Sequence, residues 1–332
     1  MRRFIMTLAA VFGFSMLHSA NAQSQSLTMG TCGTGGGWYQ AGTLMSNVIS
    51  KNVEGLDINA VPTECAAFNL VALSQGRLDF AFTTSNLSRS ALMGEGNFSA
   101  AGTKDKVRAL FSYSVSYLHI FTLDPDIKSI KDLKGKRIAV GSPASSSYQQ
   151  AVAILKAAGI DPETDVELVQ VNLATGTEQL RGGQVDAEFW SMALDVPGML
   201  ELVNSRDTYF IPVPNDLYDK IPSELGLTQV EMPANAYPTV EDAFPTLGIY
   251  SIIVTTTDLD DEAAEKIVGG YFENLEEFKS GMPASAVVAT KETALDGLPV
   301  PLHDGARAYY TEKDFPGLSD FDARLKASGV AD

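Results

Sequence analysis

The amino-acid sequence predicts an α/β protein of two lobes joined by two crossover strands that act as a hinge. The 332-residue chain is longer than one hydrophobic core usually supports, which favours two domains. Short apolar strands alternate with helical patterns twice along the chain. A late apolar strand, Ile249–Thr255, can return the chain to the first lobe. The predicted bounds are 23–115 and 249–332 for lobe 1, and 116–248 for lobe 2.

Residues 1–22 have the pattern of a secretory signal peptide. Arg2 and Arg3 precede an apolar run from Phe4 to Leu17, and Ala20-Asn21-Ala22 is a small-x-small cleavage site. The apolar run is too short to span a bilayer. We therefore expect cleavage after Ala22 and release of the mature chain into the periplasm.

The remaining elements follow in two alternations. Lobe 1 has predicted strands Leu27–Thr31, Ile58–Val61 and Asp79–Thr84, with helices Gln40–Lys51 and Ala66–Gln75 between them. Two strand segments, Val107–Val115 and Tyr117–Leu123, lead to lobe 2. Lobe 2 has predicted strands Arg137–Gly141, Val166–Asn172 and Asp186–Trp190, with helices near Ser147–Ala158 and Glu178–Gly182. The proline-rich stretch Pro212–Pro245 is expected to be irregular, and a long helix, Asp260–Phe278, follows the return strand.

The charge of the chain limits its partners. The sequence has 24 Lys and Arg against 41 Asp and Glu, a formal charge of −17. Nucleic acid is excluded, because its phosphates would be repelled. An anionic ligand would have to be captured locally, by oriented N–H groups or a single arginine, against the long-range field.

Two cysteines, Cys32 and Cys65, follow the first and second strands. An even count in an oxidising compartment permits one disulfide. If the two strands are neighbours in a parallel sheet, both cysteines lie at the same sheet edge and can form a bridge. The alternative is two independent small residues in a loop.

Ligands of open α/β sheets bind beyond the carboxyl ends of the strands, where the next helices begin. Residues Gly30–Tyr39 read GTCGTGGGWY, a glycine-dense turn between a strand and a helix that begins near Gly37. Glycine lets backbone N–H groups turn toward a ligand, and a helix N-terminus favours an anion. A turn packed only for steric reasons is the alternative.

Several segments together resemble a known family of transport receptors. They read GTCGTGGGWYQAG, LSQGRLDFAF, IKDLKGKRIAVGSP, GGQVDAEFW, ENLEEF and ALDGLPVPLHDGARAYY. This series is similar to the TAXI-type solute receptors of tripartite ATP-independent periplasmic (TRAP) transporters, over essentially the whole mature chain. The resemblance implies a monomeric, two-lobed periplasmic binding protein of the venus-flytrap, type II-like fold, with neither catalytic activity nor cofactor. It also implies a sodium-coupled TRAP permease as partner and a carboxylate ligand such as glutamate or 2-oxoglutarate.

Some loop positions depart from that family pattern. Glu64 and Cys65 replace glycines, and Thr84-Ser85 replaces a Gln-Ser pair. Ser145, Ser146 and Ser147 stand where a glycine-containing turn is usual. The ligand's identity therefore does not carry over from the resemblance.

The predicted ligand-binding residues are those after the strands, together with one tyrosine at a position that resembles a cleft-facing family position. They are Gly33, Thr34, Gly36, Gly37, Trp38, Thr63, Thr84, Ser85, Asn86, Ser145, Ser146, Ser147, Trp190, Ser191 and Tyr237. Arg89, one turn into a helix, is a further candidate because it could pair bidentately with a carboxylate. For many of these residues a structural role is the alternative, including helix capping by Ser146 with Gln149 or by Thr84, Ser85 and Asn86.

Catalysis is less consistent with the sequence. His119 falls in an apolar strand and His303 in the PLH segment, and neither has metal-ligand spacing to another His or Cys. The glycine loop does not match the dinucleotide-binding fingerprint, because Trp38 stands where that motif has its third glycine. An exported enzyme stays the weaker alternative, and a sensory receptor of the same fold, which would present its solute to a membrane kinase or chemoreceptor, stays open beside transport.

Overall fold

A single mixed sheet runs through the part of the chain that the computed structural model describes. The described residues are 24–34, 37–141, 146–194, 196–222, 225–282 and 288–330. The strands are β1 (Gln25–Gly30), β2 (Leu56–Val61), β3 (Phe80–Thr84), β4 (Val107–Thr122), β5 (Arg137–Val140), β6 (Glu167–Gln170), β7 (Ala187–Met192), β8 (Tyr209–Phe210), β9 (Thr228–Met232) and β10 (Phe244–Thr256). The helices are α1 (Gly37–Asn52), α2 (Ala66–Ser74), α3 (Ser85–Met93), α4 (Ser146–Ala157), α5 (Leu173–Arg181), α6 (Pro197–Ser205), α7 (Asn215–Tyr218), α8 (Asp261–Glu273), α9 (Leu275–Ser280), α10 (Asp304–Glu312) and α11 (Leu318–Ala327).

The strand order is β2-β1-β3-β10-β4-β7-β5-β6, with β8 beside β4 and β9 beside β10. The strands β1, β2 and β3 are parallel to one another, and so are β5, β6 and β7. The two long strands β4 and β10 lie between these groups and run antiparallel to their neighbours. The α/β class that the sequence predicts is therefore present.

Apolar side chains of the strands and of the neighbouring helices account for the burial of the parallel strands on both faces. In β3, Phe80, Ala81 and Phe82 are all fully buried, as expected for a parallel strand with helices on either side. In α1, Ala41, Met45 and Ile49 recur at helical spacing and are also fully buried.

The structure differs from the sequence prediction in three elements. The two segments predicted at 107–115 and 117–123 form one strand, β4, because β10 pairs with it up to Tyr117 and β7 pairs from there to Phe121. The stretch expected to be irregular contains β9, which pairs with β10. The predicted helix 260–278 is interrupted at Asn274, whose φ of −115° and ψ of 24° lie outside the helical region.

The buried apolar residues form three clusters. The largest draws on residues 27–113 and 252–325. The other two draw on residues 117–247 and lie on opposite faces of the second group of strands. The parts of β4 and β10 between these sets of residues thus join separate cores.

None of the helices in the described ranges is long and apolar enough to cross a membrane.

Candidate functional site

The carboxyl ends of parallel strands from both groups meet at the middle of β4. Thr84, at the end of β3, pairs with Ser251 of β10, and Ser251 pairs with Ser114 of β4. Three residues further along β4, Tyr117 pairs with Met192, the last residue of β7. At about 3.3 Å per residue, the two sets of strand ends lie roughly 10 Å apart along β4.

A row of three hydroxyl groups crosses the sheet at this level. Residues that pair directly across antiparallel strands point to the same face, so Thr84, Ser251 and Ser114 form one row. Ser116 follows on the same face, opposite Ile249. Sequence reasoning found Thr84 but missed the serines, because it searched the loops after strands and not the crossover strands. The available signal was the alternation of serine with larger residues in Ser112–Ser116.

Trp38, in the first turn of α1, contacts this row of hydroxyls. Its indole Nε1 donates to Ser251 Oγ at 3.2 Å, and its ring stacks on Phe82 with centroids 5.4 Å apart. The predicted ligand residue Trp38 therefore lies at the hydroxyl row and also packs on the core.

The glycine loop itself shows no steric need for glycine at two positions. A Cβ at Gly33 or Gly37 would meet nothing within 4 Å, and neither residue has a positive φ. Gly33, Thr34 and Gly37 are exposed, whereas Gly36 lies outside the described residues. The alternative of a turn packed only for steric reasons is therefore not supported at Gly33 and Gly37.

At the β7 end of the site, Ser191 contacts the predicted residue Ser147 and also Gln150, which the sequence analysis did not name. Ser191 Oγ donates to Gln150 Oε1 at 2.5 Å, and Ser191 N donates to Ser147 Oγ at 3.4 Å. Ser191 pairs with Leu118 of β4, four residues from Ser114, so it shares the face of the hydroxyl row. Ser145 and the side chain of Ser146 lie outside the described residues, and with them the predicted capping box.

Trp190 and Tyr237 lie on the opposite face of the sheet. Trp190 pairs with His119, and neighbouring residues of a strand alternate between faces, so Trp190 and Ser191 point to opposite faces of the sheet. Tyr237 is only 3% exposed, and its hydroxyl lies 2.8 Å from His119 Nε2 and 3.1 Å from Leu194 O. Burial lowers the pKa of His119 to about 4, so the ring is neutral at pH 7. The predicted ligand residue Tyr237 is therefore buried, with its hydroxyl within hydrogen-bond distance of His119 and Leu194.

Two polar side chains hold the ends of β1, β2 and β3 together. Asn69 Nδ2 donates to Thr31 O and to Phe82 O, both at 2.8 Å. Thr63 Oγ1 donates to Thr31 O at 2.8 Å and accepts from Cys65 N at 3.2 Å. The predicted ligand residue Thr63 thus has its hydroxyl engaged by the backbone.

Cys32 and Cys65 form a disulfide in the structure, with their Cα atoms 4.3 Å apart. The neighbouring parallel strands β1 and β2 end together, since Gly30 pairs with Val61. The bridge therefore fastens the two loops that follow these strands.

Three other predicted residues line a separate cavity of about 820 Å³. Ser85, Asn86 and Arg89 of α3 line it together with Tyr218, Asp219, Ile221, Pro222, Gly226, Leu227, Thr228, Gly297, Leu298, Pro299, Arg324, Leu325 and Ser328. Arg89 has no hydrogen-bond or ion-pair partner among the residues described here. Thr84 does not cap α3; its hydroxyl donates to Asn86 Oδ1 at 2.7 Å, so the capping alternative is wrong for Thr84.

No group of three or more His, Cys, Asp or Glu side chains in the described ranges could hold a metal ion. The hydroxyl row contains neutral donors and acceptors only. Such groups can replace water around an anion's oxygens, and they contain neither a nucleophile–base pair nor an acid–base pair.

Comparison with known proteins identifies the family. The model of the NMT1-like family matches residues 29–313. The chain belongs to the NMT1-like family. The match includes every predicted site residue and the complete set of strands from β3 to β10.

Solved structures show which fold this NMT1-like chain shares. A TctC solute-binding protein from Polaromonas, determined without ligand, is 12% identical, covers 93% of this chain and 96% of its own, and has a TM-score of 0.53. The aliphatic sulphonate-binding protein of Escherichia coli is 14% identical over 92% of this chain and 86% of its own, with a TM-score of 0.49. A sulfonate-binding protein from Methylobacillus flagellatus is 17% identical over 93% and 88%, with a TM-score of 0.48. The likeness to the first of these shows that the NMT1-like chain has a periplasmic-binding-protein fold.

Proposed function

We propose that this protein is an extracytoplasmic solute receptor of the TAXI type, which binds a small organic anion and delivers it to a sodium-coupled TRAP permease. The observation that supports this best is the meeting of strand ends from both groups of the sheet over one row of hydroxyls. Family membership and a shared fold with a solute-binding protein agree with it. The signal-peptide pattern of residues 1–22 is consistent with a periplasmic location.

The protein acts as two lobes that close on the ligand. Separate apolar cores lie on either side of the middle of β4 and β10, and these two strands are the chain's crossovers in the sheet. Bending there moves Trp38 and Ser191 relative to each other, since they lie near opposite ends of the segment Ser114–Leu118. Closure lets donors from both lobes surround the acid.

The ligand is a small carboxylate such as glutamate or 2-oxoglutarate, and the protein has no catalytic role. Each hydrogen bond to a charged group contributes about 1.5–3 kcal/mol. Four or five such bonds, offset by ordering and closure, are sufficient for micromolar affinity, which needs about −8 kcal/mol.

A thermal-shift panel tests this function. The mature protein is heated with glutamate, glutamine, 2-oxoglutarate, succinate or fumarate, and with uncharged sugars as controls. At about 100 times Kd a ligand adds roughly 2.7 kcal/mol of stability, which raises Tm by about 4 °C in a protein of this size. We expect at least one acid to do so and the sugars not to. A response to sugars alone would contradict the proposal, and turnover of a bound acid would favour the enzyme.

A further inference from the structure

We infer that the paired hydroxyls of Ser251 and Ser114 donate hydrogen bonds to one carboxylate of the bound acid, and that Trp38 positions Ser251 for this role. The inference rests on the proposed function and names part of its binding site. Neither serine is in a loop after a strand, where ligand residues of this fold class are usually sought.

The argument begins with the hydrogen-bond inventory of Ser251. An indole N–H can only donate, so Ser251 Oγ is the acceptor in its 3.2 Å contact with Trp38 Nε1. The hydroxyl proton of Ser251 must then point elsewhere. Throughout the described parts of the chain, Ser251 Oγ has no acceptor for that proton.

Burial makes this unused donor significant. Ser251 is 7% exposed, so most of the residue is out of contact with water. Leaving a buried donor without an acceptor costs free energy, and a ligand oxygen that accepts the proton removes that cost. The indole contact therefore orients Ser251 as a donor toward the space above the sheet.

Ser114 supplies the second donor. It pairs directly with Ser251, which places the two Cβ atoms about 4.5–5.5 Å apart on one face. Ser114 is partly exposed, and its hydroxyl has no hydrogen bond to any residue in the described ranges. Two donors at this separation can contact the two oxygens of one carboxylate.

The edge of β4 is open at the same place. Tyr113 O accepts from Ala289 N, and Tyr117 pairs with Met192. Between them, residues 114–116 have no partner strand opposite β10 in the portion of the chain that is described. A ligand above Ser114 and Ser251 thus lies where the sheet is interrupted and where both sets of strand ends converge.

Isothermal titration calorimetry with glutamate, 2-oxoglutarate and succinate tests the inference. The variants are Ser251→Ala, Ser114→Ala and the matched control Ser90→Ala, which removes a partly exposed hydroxyl from the separate 820 Å³ cavity. We expect Ser251→Ala and Ser114→Ala each to weaken binding at least tenfold, and Ser90→Ala to change it less than twofold. If Ser251→Ala does not fold, Ser251→Cys keeps the size with a weaker donor and is expected to weaken binding in the same direction.

A double-mutant cycle tests the positioning role of Trp38. Trp38→Phe keeps an aromatic ring on Phe82 but removes the N–H donor. We expect it to weaken binding several-fold in the native background and to have no further effect beside Ser251→Ala. A merely structural role for Trp38 would instead weaken binding equally in both backgrounds.

The outcomes separate this inference from the function on which it rests. If the native protein binds an acid and only Ser90→Ala weakens it, the acid lies in the Arg89 cavity; the inference is then overturned while the receptor function stands. Unchanged affinity in all three serine variants also overturns it. If the native protein binds none of the acids, the proposed function fails and the inference fails with it.

Discussion

Glu188 is an unusual buried acid in β7. It is 1% exposed, Thr177 Oγ1 donates to its Oε2 at 3.2 Å, and its Oε1 has no partner in the described structure. A Cβ added at Gly176 would lie 2.5 Å from Oε1, so a larger residue there would displace the carboxyl group. Burial raises the pKa of Glu188 to about 8, from a usual value of 4.5. The carboxyl is therefore protonated at neutral pH.

This pKa predicts how stability depends on pH. Because the folded state holds the proton more tightly than the unfolded state, the contribution of Glu188 is fully present below about pH 4.5 and is lost as pH rises to about 8. Glu188→Gln keeps the shape without the titration. We expect Tm of the native protein to fall more than that of Glu188→Gln between pH 5 and pH 9, by the equivalent of a few kcal/mol. Parallel Tm curves would contradict this account.

Some residues of the candidate site could be identified from the sequence alone, and others could not. Thr84, Trp38 and Ser191 were predictable, because each follows or ends a strand that the hydrophobic pattern identifies. The alternation of serine in Ser112–Ser116 marked Ser114, but its pairing with Ser251 was not predictable, because a pattern along one strand does not give the register of β10 with β4. That Trp190 and Ser191 point to opposite faces of the sheet was not predictable either, since the face of a strand residue depends on its pairing.

At the scale of elements, the disulfide fixes an unfavourable backbone. Cys65 precedes α2 with φ of 72° and ψ of −166°, a region that glycine alone adopts without strain. Glycine is also what the resembled family has at this position. The bridge to Cys32 holds Cys65 in place, and it closes a loop with a sequence separation of 33.

Paired substitutions test this account of Cys65. Removing the bridge with Cys32→Ser is expected to cost about 3–4 kcal/mol of unfolding free energy. In that background we expect Cys65→Gly to be more stable than Cys65→Ala by about 1 kcal/mol or more, although glycine usually lowers stability. Urea unfolding of the two double variants measures the difference. Equal stability, or a more stable alanine variant, would show that the loop relaxes once the bridge is gone.

The elements themselves were largely predictable. The strands β1, β2, β3 and β5 and the start of α1 follow from apolar runs and glycine positions, with boundary errors of a few residues. The strand β9 was missed because it lies within a proline-rich stretch, although its sequence, TQVEM, alternates polar with apolar residues as an edge strand does. The break at Asn274 was missed because the apolar period continues through it.

In the molecule as a whole, the two crossover strands β4 and β10 join the separate apolar cores and contain the serines proposed to bind the acid. The apolar cores divide between residues 113 and 117 and again between 247 and 252, so within the described ranges the chain passes between lobe 1's core and the other two only in β4 and β10. Two hydroxyls of the row, those of Ser114 and Ser251, lie in these segments of β4 and β10. The formal charge of −17 opposes the approach of an acid, which makes directed donors at short range necessary.

A crystal structure of the complex with the acid that binds most tightly tests the central claim most directly. The account predicts a carboxylate between Ser114 and Ser251, with hydroxyl-to-oxygen distances of about 2.5–3.0 Å, and lobes that close over it about β4 and β10. An acid bound in the cavity beside Arg89, or away from the junction of the two crossover strands, would contradict it.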